Sequence, residues 1–256
     1  MFYSNTTYIG IDPTAGVRPF VYIALDHELA LLAVGKGEMG DVLAFVAGQR
    51  SAFVAVCAPR SPNRGFMDRE EVRQALVPPP RPGRWLNFRV VEYQLRQHNI
   101  IIPQTPADPA DCPGWMRKGF TLYRRLEELQ YQPYPQKNAA RQYLEVYPHA
   151  CFAALLGRLP FPKHSLEGRL QRQLALYDRK LRISDPMLVF EEITRHRLLQ
   201  GILPLEGIYE PEELDAMAAA YTAWVAGTKP AEITRLGDPE EGCVFLPVAE
   251  LKDRYS

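Results

Sequence analysis

The run Ala52-Phe-Val-Ala-Val-Cys57 carries no charged or hydrogen-bonding side chain other than a terminal thiol. A strand with one wet face alternates apolar and polar residues. A short run that is apolar throughout reads as a strand covered on both sides. The fold must therefore supply a layer above and a layer below this segment, which points to an α/β arrangement.

The flanking sequence is consistent with that demand. Tyr8 to Asp12, Pro19 to Leu25 and Glu28 to Val34 read as short strands rich in β-branched and aromatic residues, and Asp26-His27 suits a tight turn, so the three form an antiparallel meander. The Gly35-Lys-Gly37 step lacks phosphate-loop spacing and reads as a turn. A short helix is predicted over Gly37 to Gly48. The text from about 58 to 113 is irregular, with a proline-rich run from Val77 to Gly83 that suits polyproline II and one helix over Leu86 to Gln97. Helices follow over Trp115 to Leu129, Pro148 to Leu156, Leu166 to Tyr177 and Asp185 to Leu199. Gln142 to Val146 is a second buried strand, and Val244 to Leu246 a last one. Pro211 to Ala226 is the clearest helix, with proline in its first turn and Glu212-Glu213 beside the positive end of its dipole. The expected architecture is one α/β domain over 1–256, with a loop-rich insertion at about 58–113.

Cys57, Cys112, Cys151 and Cys243 lie far apart with no zinc-type spacing, as expected of reduced thiols in a cytoplasmic protein. No stretch approaches the roughly 18 apolar residues of a membrane helix, and the polar opening shows no signal peptide. Thirty basic residues balance thirty acidic ones, so the chain as a whole is not a polycation. Basic residues nevertheless concentrate between Arg158 and Arg182 and again from Arg117 to Arg125. Such stretches are either solvated helix faces or a basic wall beside an acidic site that holds a polyanion.

Three acids occupy awkward positions. Asp12 ends a strand whose alternation puts Ile9 and Ile11 on one face and Gly10 and Asp12 on the other. Glu145 stands inside Tyr143-Leu-Glu-Val-Tyr147, where a charge is costly unless it is paired or metal-bound. Asp215 lies one turn into the last long helix, with the small residues Ala219 and Thr222 above it. Each alone reads equally as a turn former, a dipole partner or a paired charge. If the three converge, their repulsion requires a cation or raised pKa values, and oxygen-only donors suit magnesium or manganese.

Five motifs in order carry a family resemblance: Tyr-Ile-Gly-Ile-Asp-Pro, Leu-Glu-Val-Tyr-Pro-His-Ala, Lys163 with Gly168-Arg169, Glu-Leu-Asp-Ala-Met-Ala-Ala-Ala-Tyr-Thr-Ala, and Leu-Gly-Asp-Pro-Glu-Glu-Gly-Cys-Val-Phe-Leu-Pro. Over about Tyr8 to Pro247 the chain resembles the domain-of-unknown-function family 429, a family of predicted nucleases with a ribonuclease H-like fold. The resemblance implies a mixed sheet whose first three strands are antiparallel, helices on both faces, and a magnesium or manganese ion held by carboxylates. The matching acids are Asp12, Glu145 and Asp215, as both catalytic residues and metal ligands. Lys163, Arg169 and Arg172 are the expected contacts to a nucleic-acid substrate.

One position departs from the family. An Asp-Ala-Pro step usual at the end of the fourth strand here reads Cys57-Ala58-Pro59. A thiol is a poor magnesium ligand, so another acid substitutes (Asp68, Glu70, Glu71 and Glu92 are at hand) or the site is weakened. The expected function is a divalent-metal-dependent phosphodiesterase. The rival is a catalytically impaired relative that binds nucleic acid, nucleotide or protein, and a small-molecule phosphotransferase is a third option that lacks its glycine loops. His149 follows the Glu145 strand closely enough to support the site, although a structural role is the simpler reading.

Overall fold

The computed structural model describes residues 6–81 and 83–256. The readings of the extreme N-terminus and of Pro82 within the proline-rich run lie outside those residues. Eight strands form one mixed sheet: β1 (Thr6–Asp12), β2 (Phe20–Leu25), β3 (Leu31–Gly37), β4 (Ser51–Val56), β5 (Gln132–Pro133), β6 (Arg141–Glu145), β7 (Thr234–Asp238) and β8 (Gly242–Leu246). Their order is β3-β2-β1-β4-β6-β8-β7, with β5 paired to β6. The first three strands are antiparallel, whereas β1, β4, β6 and β8 run parallel. The apolar run of β4 lies between β1 and β6, as its composition requires.

Nine helices join them among the described residues: α1 (Met39–Ala47), α2 (Glu70–Ala75), α3 (Val90–Gln97), α4 (Gly114–Glu128), α5 (Pro148–Leu156), α6 (Leu166–Asp178), α7 (Leu188–Glu192), α8 (Arg195–Leu199) and α9 (Pro211–Thr228). Helices cover both faces. On one side α9 and α5 pack with Ala55, Leu144 and Val146. On the other, α1 and α4 pack with Ile9, Ile11, Val54, Val56 and Tyr143. None of the helices among the described residues is long and apolar enough to cross a membrane.

The approach of α9 to β1 depends on small residues. A Cβ at Gly10 would lie 1.9 Å from the Ala216 carbonyl oxygen and 2.9 Å from the Ala219 Cβ. Glycine there lets the helix lie almost on the strand backbone, and α9 is buried on nearly every side.

Several boundaries differ from the sequence reading. β3 starts at Leu31 and continues through Gly35-Lys-Gly37, so that step is strand and not turn. Gly35 pairs with Tyr22, whose ring occupies the space a side chain would need. The helix expected over Asp185 to Leu199 is two short ones, broken at Ile193 and Thr194, and the Thr194 hydroxyl caps α8 by accepting from the Arg197 amide at 3.1 Å. The region from 58 to 113 holds more regular structure than its text suggested. A 3₁₀ turn (Phe66–Asp68), α2 and α3 share a small core of Phe66, Met67, Leu76, Val90 and Tyr93.

Candidate active site

Parallel strands β1, β4 and β6 finish at one edge, so the residues at their C-terminal ends share a crevice, the usual place for a ligand in an open α/β sheet. Asp12 ends β1, Cys57 follows β4 and Tyr147 follows β6. With Asp215 from the second turn of α9 and Lys163 from the loop before α6, they line a cleft of about 470 Å³. Trp115 and Phe161 give it apolar walls, and His149, Arg172, Glu212 and Arg18 also face it.

The backbone beyond β1 is held by Asp12 itself. Its Oδ1 accepts the Thr14 amide at 2.8 Å. Thr14 adopts φ 50°, an unfavourable left-handed conformation for a β-branched residue, and its hydroxyl donates to the Arg18 and Pro19 carbonyls. This Asp-x-Thr turn keeps the carboxylate facing the cleft at the expense of local backbone strain.

Charge in the cleft is unevenly matched. Burial, and then the nearby Asp215 carboxylate, push the Asp12 carboxyl up to about 7. Asp215 is neutralised by Lys163, whose Nζ donates to Oδ2 at 2.9 Å. Burial alone would lower the Lys163 ammonium, but Asp215 beside it raises it. Cys57 is buried at the cleft wall, and burial followed by the charge of Asp12 drives its thiol well above the ordinary range. It is therefore a protonated thiol that contributes neither a thiolate nucleophile nor a hard ligand. Burial, and then Arg172, lower His149, which leaves it neutral near pH 7.

Glu145 does not join this group. Ile11, Val56 and Glu145 are cross-strand partners and share the α4 face, whereas Asp12, one residue beyond Ile11, faces α9. The three expected carboxylates thus lie on opposite faces of the sheet, and no three-acid metal centre forms. Glu145 has its own counterion: Arg89 grips it with two bonds of 2.6 and 3.0 Å, at 0% and 3% side-chain exposure. It also accepts the Arg60 amide at 3.0 Å. The buried acid that the strand sequence flagged is paired, not metal-bound.

The basic wall is only partly realised. Lys163 and Arg172 reach the cleft. Arg169 is spent on structure instead: it donates to the Tyr209 and Ile208 carbonyls and to Glu210, fixing α6 to the chain entering α9. Arg125 pairs with Glu128, and Arg182 with Glu28. The acids proposed to replace position 57 do not line the cleft. Asp68, Glu70 and Glu71 are exposed, and Glu92 is buried against the Arg89 and Thr105 amides. The contributions of Thr14, Trp115, Phe161 and Glu212 were not read from sequence. Only the Asp-x-Thr spacing of the first carries a local signal.

The raised Asp12 carboxyl has a consequence for stability. A carboxyl that holds its proton in the folded chain up to about pH 7, against 3.8 in the unfolded chain, favours folding at low pH and loses that support as pH rises between those values. Asp12→Asn is therefore expected to stabilise the protein at pH 8, with the gain shrinking toward pH 4. Thermal unfolding of both proteins across that range measures it, and a gain that is flat with pH would contradict the assignment.

A family model described as "Protein of unknown function (DUF429)" matches residues 92–241, more than half of the chain. No curated protein and no solved structure matches.

Proposed function

This chain belongs to the family of proteins of unknown function DUF429, and we propose that its cleft is a divalent-cation-dependent phosphodiesterase site acting on nucleic acid. The observation that carries the reading is the convergence of Asp12 and Asp215, from two distant elements, on one cavity that also holds Lys163 and Arg172. An antiparallel three-strand start, a carboxylate ending the first strand and a second on the long last helix support a ribonuclease H-like arrangement.

The donor set suits magnesium or manganese held loosely. Among the described residues there is no group of three or more His, Cys, Asp or Glu that could hold an ion. Magnesium, however, commonly takes one or two carboxylates and completes its shell with water and substrate phosphate. The Asp12 carboxyl, raised by burial and then by the neighbouring Asp215, would be held ionised by a cation bound between the two carboxylates. Asp12 and Asp215 would hold the ion, which would supply charge neutralisation and an activated water at the phosphate. Lys163, half-exposed, can exchange Asp215 for a phosphate oxygen. Neutral His149 can accept a proton, and Trp115 and Phe161 limit bulk water.

The thiol at Cys57 favours a second reading, a binding module that has lost turnover. One experiment separates the two: hydrolysis of single-stranded, duplex and RNA–DNA hybrid substrates with magnesium or manganese, by wild type, Cys57→Ala and Cys57→Asp. A hard ligand at the end of β4 is expected to raise turnover on the order of tenfold, equivalent to ~1.4 kcal/mol, and Asp12→Ala should abolish that gain. Cys57→Ala should change little. A wild type that is strongly active and is silenced by Cys57→Ala would overturn the carboxylate mechanism. Wild type and Cys57→Asp both inert would support the binding module.

A further inference from the structure

Two arginines are almost wholly buried, and the chain treats them differently. Arg89 is 0% exposed and meets Glu145 through two charge-assisted bonds. Arg172 on α6 is 2% exposed and has only neutral partners: Nη1 donates to the carbonyls of Phe161 at 2.8 Å and Gly168 at 3.0 Å, and the guanidinium lies 5.3 Å from the Phe152 ring centroid. Its Nε is buried without a hydrogen-bond partner. The acid that bears on its charge is Asp215, already held by Lys163. A buried cation without an anion is costly, and Arg172 lines the cleft.

The second observation is independent. The nine-residue helix α5 begins at the same cleft, where Tyr147, Pro148 and His149 contribute to the lining. Its N-cap residue Tyr147 supplies no side-chain cap, and the first backbone bond of the helix is from Cys151 to the Tyr147 carbonyl at 2.9 Å. The amides of His149 and Ala150 thus start a helix with the positive end of its dipole facing the cavity, a ready site for an oxyanion. A guanidinium with an unpartnered Nε and a helix start without a side-chain cap meet at one place.

We propose that the end of the cleft between Arg172 and the start of α5 is a phosphate subsite, which grips a terminal phosphate monoester of the substrate beside the diester to be cut. The assignment of that neighbouring diester rests on Asp12 and Asp215 being the hydrolytic centre. The subsite makes the substrate a phosphorylated strand end, not an internal stretch of duplex. Arg172 is a binding residue here, and His149 adds a neutral hydrogen-bonding group to the same anion.

Inorganic phosphate, titrated into metal-free protein in chelator, tests the subsite without any turnover. Saturable binding is expected, with the Arg172 Nε–H resonance shifting in labelled wild type. Affinity should fall at least about tenfold in Arg172→Lys, which keeps the charge and loses the fork. Wild type that does not bind phosphate, an Arg172 resonance that does not move, or acetate binding as well as phosphate would each overturn the proposal. In the second arm, wild type is given one oligonucleotide with and without a terminal phosphate. The phosphorylated form should be cut with at least tenfold higher kcat/KM, and equal rates would overturn the role in substrate choice. Arg172-dependent phosphate binding without cleavage of any oligonucleotide would leave the subsite standing and remove the hydrolytic reading.

Discussion

Arg89→Ala is expected to cost about 3–5 kcal/mol of folding stability, because it strands a buried carboxylate without its counterion. Arg89 and Glu145 are 0% and 3% exposed, and two bonds join them. The pair also ties the region from 58 to 113 to the sheet. The Arg60 amide donates to Glu145, and next to Arg89 the Val90 amide donates to the buried Glu241 at 2.7 Å. Glu145→Leu should be comparably costly, since it leaves a buried guanidinium in place of a buried carboxylate. The double change Arg89→Met with Glu145→Leu should recover most of the loss, because apolar residues of similar volume avoid the desolvation of both charges. Chemical denaturation of wild type, Arg89→Met, Glu145→Leu and the double change measures the cycle. A Glu145 substitution that leaves stability intact but removes metal binding would instead return Glu145 to the ligand set.

Asp12→Asn is the second large effect, of opposite character. On the proposed hydrolytic reading it should lower turnover by about 10²–10³, the usual loss when one preorganised electrostatic group is removed from a transition state. The same substitution should make the protein more stable at pH 8, since it removes a carboxyl whose ionisation burial and Asp215 oppose. Gain of stability with loss of function is the pattern of a group retained for chemistry. Asp215→Asn should lower turnover similarly and also free Lys163. Steady-state kinetics with manganese, beside thermal unfolding of the same samples, distinguishes this outcome from simple misfolding.

Much of this arrangement was legible in the sequence where local pattern decides. The alternation of Tyr8 to Asp12 placed Asp12 on the glycine face of its strand, and the small residues of the last helix announced its close approach to a sheet. Proline and two glutamates marked where that helix begins. Glu145 shows where the reading stopped. Its neighbours are apolar on both sides, so nothing in the segment fixes which face it takes; pairing through β4 decides that. Its partner lies 56 residues away in the least regular part of the chain. The sequence stated that a buried acid needs compensation, and could not say whether by arginine or by metal. Arg169 and Arg172 make the same point: three residues apart on one helix, one is consumed by carbonyls and Glu210 and the other is left facing the cleft. Strand β7 went unread because Thr-Arg-Leu-Gly-Asp has no alternation and gains its order from β8.

The most direct test of the central claim is anomalous diffraction from crystals soaked in manganese at pH 8, where Asp12 has lost its proton. One manganese peak is expected between the Asp12 and Asp215 carboxylates, with Lys163 displaced from Asp215 and Glu145 still held by Arg89. A peak at Glu145, or a cleft that stays free of manganese while Lys163 remains on Asp215, would contradict the account.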